Sequence, residues 1–307
     1  MAWSIESFRP ARPLFDAYIV VDWSASGVPR TGRDSIWIGV VERHQGRLLG
    51  RVPENLPTRV VAAARLFSLL RARIGAEQNV LVGFDFPLGY PSDLANRLGL
   101  GRPPWLAVWD ELARLIRDTP TNANNRYAIA ADLNRRISGS PSPFWGCPQS
   151  ARSHFLSPCR WRGRGASTLP ERRLADLRVP RAQPGWKLAY PGSAGGQALV
   201  GIPIVRRLRR RLARAAHVWP FETGLRALPA GFGGHQIIFV EVYPSIIPIP
   251  VTAGHIKDAL QVDALARHFA RLDDSGGLAP LFAGPPDLTA SERRRIETEE
   301  GWILGVT

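Results

Sequence analysis

The sequence predicts an α/β fold, a mixed sheet flanked by helices, and three observations carry that prediction. Residues 17–22 (AYIVVD) and 79–85 (NVLVGFD) are short, almost wholly apolar runs that each end in an acid, the pattern of strands buried on both faces. Between them stand two more strand-like segments and a stretch of helical spacing. The order strand, strand, strand, helix, strand is that of an antiparallel meander feeding a crossover to a parallel neighbour.

Each element follows from local chemistry. Residues 24–33 (SASGVPRTGR) are a polar turn punctuated by Gly and Pro. Residues 35–41 form the second strand and 47–52 the third, with 44–46 as the hairpin turn. Residues 58–73 place Val61, Ala64, Leu66, Leu69 and Leu70 at helical spacing, with Thr58 as N-cap. Residues 91–216 interrupt the pattern as an insertion. It has helices at 105–117, 125–137 and 204–217 and an aperiodic Pro/Gly/Arg-rich stretch from 138 to 201. Strands resume at 217–221 and 236–243, followed by helices at 259–272 and 290–300. Thr289 and Glu292 make a capping box for the last helix, and Gly301 ends it. The expected core is thus 16–90 with 217–307.

Composition narrows the class. The chain has 307 residues, 45% hydrophobic and 21% charged, with 29 Gly and 27 Pro, values that exclude a disordered chain or a coiled coil. No apolar run reaches the ~20 residues of a membrane span, and residues 1–15 lack the apolar region of a signal peptide. Two cysteines, Cys147 and Cys159, are too few for a disulfide framework and predict reduced thiols in the cytoplasm. The net charge is +14, and residues 151–217 hold fourteen Arg and one Lys against two acids. A basic segment this concentrated attracts polyanions such as nucleic acid, or nucleotides, and argues against a membrane partner in a chain without anchors.

Three strand-like runs carry a carboxylate at or near their C-terminal end: Asp22, Asp85 and Glu241. In open α/β sheets ligands bind where strands end, and buried carboxylates without matched cations imply a hard divalent ion such as Mg²⁺ or Mn²⁺. Asp263 is a fourth candidate, on a helix whose flanking alanines let it lie close to the sheet. Asp258 is spaced from Gln261 as an N-cap is from N3, so it reads as a cap able to reach a metal through water. Glu222 is a weaker strand-end acid. Taken singly, each acid also reads as a strand end or an arginine's partner.

VVDWSASG at 20–27, VGFDFPLG at 82–89, FVEVYPS at 239–245 and KDALQVDALA at 257–266, in this order, resemble the domain-of-unknown-function 429 family, and the closing EEGWILGV is similar to it too. The resemblance covers roughly 16–90 and 217–305. It implies an RNase H-like fold, a mixed five-stranded sheet of order 3-2-1-4-5 with the acids meeting at its centre. It also implies a two-metal nuclease-like site holding Mg²⁺ or Mn²⁺. Asp22 would be the bridging ligand, Asp85 and Asp263 would each hold one ion, and Glu241 fits the family's own EVYP motif.

Two metals about 4 Å apart would activate water and stabilise the leaving oxygen of a phosphodiester. Arg206, Arg207, Arg210, Arg211 and Lys187 would neutralise the backbone phosphates of nucleic acid, and Trp145, Trp161 and Trp186 could stack on bases or be buried. Two other readings remain open. One is a nucleotide-dependent phosphotransferase or ATPase of the actin-like sugar-kinase type, acting on a small phosphorylated substrate, with DWSASG as a phosphate-facing turn. The other is a non-catalytic polyanion-binding protein. Cys147, His154 and Cys159 lack zinc-site spacing. Residues 191–197 (PGSAGGQ) contain neither GxSxG nor a Walker sequence and read as a plain turn, with a phosphate-contacting loop as the alternative, and Asn124, Asn125 and Arg126 read as the capped start of a helix.

Overall fold

The computed structural model describes residues 13–180, 182–190, 192–229, 234–249 and 254–307. Strand β1 (Ala17–Asp22) is the axis of a seven-stranded mixed sheet. On one side it pairs antiparallel with β2 (Ile36–His44), which carries β3 (Arg47–Gly50) and β4 (Glu54–Leu56). On the other it pairs in parallel with β5 (Val80–Phe84). Beyond β5 lie β7 (Ile237–Glu241) and, at the edge, β6 (Ala216–Val218), both parallel.

The path is β3-β2-β1-β5-β7-β6, so the α/β class holds while the strand list differs from a five-stranded 3-2-1-4-5 sheet. The expected third strand, 47–52, stops at Gly50, and an unforeseen short strand, β4, follows Pro53, which has no N–H to give the ladder. The strand at 216–218 does not pair with β5. β7, whose five residues are all buried, takes that interior place, and three-residue β6 is left at the edge.

Nine helices are described: α1 (Arg59–Gly75), α2 (Leu94–Arg97), α3 (Pro104–Leu115), α4 (Arg126–Ser138), α5 (Leu174–Arg178), α6 (Gly195–Leu212), α7 (Lys257–Asp274), α8 (Leu278–Leu281) and α9 (Ala290–Arg295). No helix among the described residues is long and apolar enough to cross a membrane. Thr58 caps α1, its side chain accepting from Val61 N, and Thr289 with Glu292 closes a capping box on α9.

Alternation along the strands divides the sheet. Ile19, Val21, Val82, Phe84 and Phe239 share a core with α1, α3, α4 and α6, so much of the 91–216 segment packs on the sheet itself. Tyr18, Val20, Leu81, Ile238 and Val240 share the other core with α7 and the C-terminal residues. There α7 crosses β2 at Gly39, where a Cβ would stand 2.6 Å from the carbonyl carbon of Val262.

The largest departure from expectation is α6. It begins nine residues before the predicted start, at Gly195–Gly196, and runs through Pro203. Pro203 costs about 3 kcal/mol in a helix interior. Each buried Leu, Ile or Val returns about 1.5–3 kcal/mol, and Leu199, Val200, Ile202, Ile204, Val205 and Leu208 are all buried.

Candidate functional site

Asp22 and Asp85 meet because of register. Val21 pairs with Phe84 across β1 and β5, and Asp85 N donates to Val21 O, so the two acids are the next neighbours along the same ladder. By alternation both face the α7 side, half-buried at the C-terminal ends of adjacent parallel strands. Their carboxyls share a hydrogen bond, and Trp23 N donates to Asp85 Oδ1 at 2.9 Å. Burial raises Asp22 well above the ordinary carboxyl range, reinforced by the charge of Asp85 and then of Asp258 and Asp34. Burial likewise pushes Asp85 up to about 6, although its bonds from Asp22 and Trp23 favour the charged form. The pair therefore favours a bound proton at mildly acid pH.

The turn after β1 is clamped from beneath. Arg59, fully buried at the start of α1, donates to Ser24 O (2.9 Å) and Ser26 O (2.8 Å) and forks onto Asp118 at 2.6 and 2.7 Å. Asp258 reaches the same turn, accepting from Asp34 N at 2.7 Å. It does not cap α7. Ile256 occupies the N-cap and Asp258 lies inside the first turn, where its charge faces the helix's positive end.

Asp22, Asp85 and Asp258 line one cleft of about 730 Å³. Trp23 to Ser26 and Tyr243 to Ser245 form two of its walls, and Leu188 to Tyr190, Ser193, Ala194 and Gln197 form a third. Gln197 fastens that third wall by donating from its side chain to Trp23 O. A Cβ at Gly195 or Gly196 would collide with the carbonyls of Gly185, Lys187 or Leu188, so only glycine brings the start of α6 so close. Arg30 and Arg126 are the cations lining the cleft, and sequence reasoning assigned neither of them there. Asn125 caps nothing in α4, since its side chain bonds Arg117 N and Leu115 O instead.

The other predicted residues lie elsewhere. Glu241 is paired with Phe84, so by alternation it faces the sheet side opposite Asp85. It is buried in a bidentate ion pair with Arg173 at 2.6 and 2.7 Å and accepts from Leu88 N. Burial raises its pKa and Arg173 partly offsets this. Asp263 sits beside Gly39, which pairs with Val20, two residues below Asp22, and it binds Arg267 at 2.8 Å. Arg267 in turn lies over Gly50 of β3, away from the β1–β5 pair. Glu222 holds Arg209 and Val218 N.

The basic residues also fall away from the carboxylates. Arg206 and Arg211 stand eleven and sixteen residues beyond Gly195, roughly 16 and 24 Å along α6 from the end that meets the cleft. Arg206 is paired with Asp110, and Arg211 lies over the Phe67 ring. Arg207 and Arg210 are exposed on the same helix. Lys187 stands over Trp145, with Gln183 as a partner, and is not part of the cleft lining. Trp186 is buried among Tyr90 and Phe144, while Trp161 is exposed.

Among the described residues no group of three or more His, Cys, Asp or Glu side chains is assembled closely enough to hold a metal ion. The donor set that does meet is two carboxyls with a third acid at the rim. That suits Mg²⁺ or Mn²⁺, for Mg²⁺ is commonly bound by one or two carboxylates and completes its shell with water and substrate phosphate. No family model, no curated protein and no solved structure matches the chain.

Proposed function

We propose that the cleft is the active site of a divalent-cation-dependent phosphoester hydrolase, nuclease-like in chemistry and built on an RNase H-like sheet. Asp22 and Asp85 would hold the ion and Asp258 would bear on it from the rim. The observation that carries this reading is the hydrogen-bonded Asp22–Asp85 pair at the ends of adjacent parallel strands inside a cleft. A cation bound there supplies Lewis-acid stabilisation of phosphoryl oxygens and a lowered pKa for attacking water. The protein's own part is orientation and charge. Trp23 N fixes Asp85, and Arg59 holds the 24–28 turn that borders the pair. A bound ion would compete with a proton for the same two carboxyls.

Cleavage of labelled single-stranded, duplex and branched nucleic acids and of small phosphate esters, with Mg²⁺ or Mn²⁺, tests the reading. Turnover by the wild type, abolished in Asp22→Asn and Asp85→Asn, supports it. Turnover unchanged in both variants would sink it.

A polyanion contact is a second reading for a different surface. Arg207, Arg210, Arg211 and Arg214 are exposed near the C-terminal end of α6, and a helix end carrying this charge attracts nucleic acid in a salt-dependent way.

A further inference from the structure

What the carboxylates act on is addressed by two other features of the same cleft, and the inference rests on the hydrolase reading above. The first is a cation without an acid of its own. Arg126 lines the cleft, with Nη1 on Asn124 Oδ1 and Nη2 on the Tyr127 hydroxyl, both at 2.9 Å. Its Nε is enclosed without a partner, and it forms no ion pair among the described residues. The fully buried arginines are treated differently: Arg59 is matched by Asp118, and Arg173 by Asp176 and Glu241. A half-buried guanidinium left with neutral partners is a seat for an external anion.

The second feature is the start of α6, an eighteen-residue helix with no side-chain cap at Ala194. Gly195 N is satisfied by Lys187 O, whereas the amides of Gly196 and Gln197 have no acceptor among the described residues. Ser193, Ala194 and Gln197 line the cleft, so this positive helix end opens on it.

Arg126 and the start of α6 line the same cleft. A cleft of about 730 Å³ lies in the range of small-molecule sites, roughly 300–1,000 Å³. A nucleic-acid strand needs a track of cations along successive phosphates. The arginine row of α6 is on its far part, and among the described residues the cleft lining holds two cations, Arg30 and Arg126.

We infer that the substrate is a small phosphomonoester, its phosphate seated between Arg126 and the first turn of α6 with the ester bond toward Asp22 and Asp85. Hydrolysis adds one water. The water oxygen joins phosphorus, the ester P–O bond breaks, and the leaving oxygen takes a proton from that water; no redox partner is required.

The test uses the intact protein and inorganic phosphate, p-nitrophenyl phosphate and a single-stranded oligonucleotide as probes, with Mn²⁺ binding titrated separately by calorimetry. The variants are Arg126→Ala, Arg126→Lys, and Ser193→Asp, which sets a negative charge at the α6 start without touching Arg126. Arg114→Ala, an exposed arginine away from the cleft, is the control. The expected result is phosphate binding weakened at least tenfold in Arg126→Ala and Ser193→Asp, less in Arg126→Lys and not at all in the control, with Mn²⁺ binding retained throughout. Mn²⁺ binding that needs Asp22 while neither phosphate nor the ester binds would overturn the inference and leave the hydrolase reading standing. So would an oligonucleotide that binds the cleft more tightly than phosphate. Phosphate binding lost in Arg126→Ala in a protein that binds no Mn²⁺ would uphold the seat and remove the metal.

Discussion

Asp22 and Asp85 stand one residue beyond the Val21–Phe84 register pair, and their carboxyls share a hydrogen bond although each ends a different strand. Folding raises both above the ordinary carboxyl value of about 3.9, Asp85 to about 6. The folded state therefore holds the proton more tightly than the unfolded one. The stability this contributes is complete below pH ~4 and is lost as pH rises through about 6. In metal-free protein at pH 7.5, Asp22→Asn is expected to raise Tm, since it removes a repelled charge. Mn²⁺ is expected to raise the Tm of the wild type and not of this variant. Thermal scans from pH 4.5 to 7.5, with and without Mn²⁺, check both. A variant less stable than the wild type at pH 7.5 would contradict the shared-proton pair.

Glu241 is expected to behave in the opposite way. Its charge is matched by Arg173, and both are buried. Breaking one partner of a buried pair costs about 3–5 kcal/mol. Glu241→Gln should lose roughly that much in urea denaturation while its Mn²⁺ titration stays as in the wild type. Lost Mn²⁺ binding with unchanged stability would return Glu241 to the ligand set.

The residues themselves show what was readable before folding. Asp22 and Asp85 were legible because an acid closing an apolar strand is costly wherever that strand lies. Glu241 shares the same local pattern, yet its side is set by the β5–β7 register, and one residue of register reverses it. The start of α6 was hidden because Gly195, Gly196 and Pro203 are turn residues by propensity. Their helical state depends on packing against residues 185–188 and on a buried face. Arg126 could not stand out among the arginines of this chain, because what distinguishes it is its place on the cleft with neutral hydrogen-bond partners, Asn124 and Tyr127. The meander and its crossover were legible because they rest on strand-length apolar runs; β6 at three residues was too short to order.

Arg59 is the next case, since the 24–28 turn has few ties of its own. Ser24 Oγ donates to Asp34 O and Ser26 Oγ to Val28 O, while Arg59 holds two carbonyls of the turn and balances Asp118. Arg59→Ala leaves Asp118 uncompensated and both carbonyls without a donor. A loss of about 3 kcal/mol or more is expected in urea denaturation. Asp118→Asn keeps the volume and a partial bond and should cost less. Equal stability of Arg59→Ala and wild type would show that the turn does not depend on the clamp.

The arginines of α6 give the last prediction, because their distance from the cleft separates two kinds of anion binding. Arg207, Arg210 and Arg211 are exposed, and the roughly 16–24 Å between this region and the start of α6 leaves them unable to touch a ligand held by Arg126. If this surface binds nucleic acid, each phosphate contact removed should lower the slope of log K against log salt by about one. Arg210→Ala with Arg211→Ala should therefore reduce the slope by about two in fluorescence anisotropy with a labelled duplex. The same double variant should leave the Mn²⁺-induced rise in Tm unaltered, since neither side chain lines the carboxylate cleft. A salt slope unchanged by the double variant would mean that the helix carries its charge as a solvated face and makes no polyanion contact there.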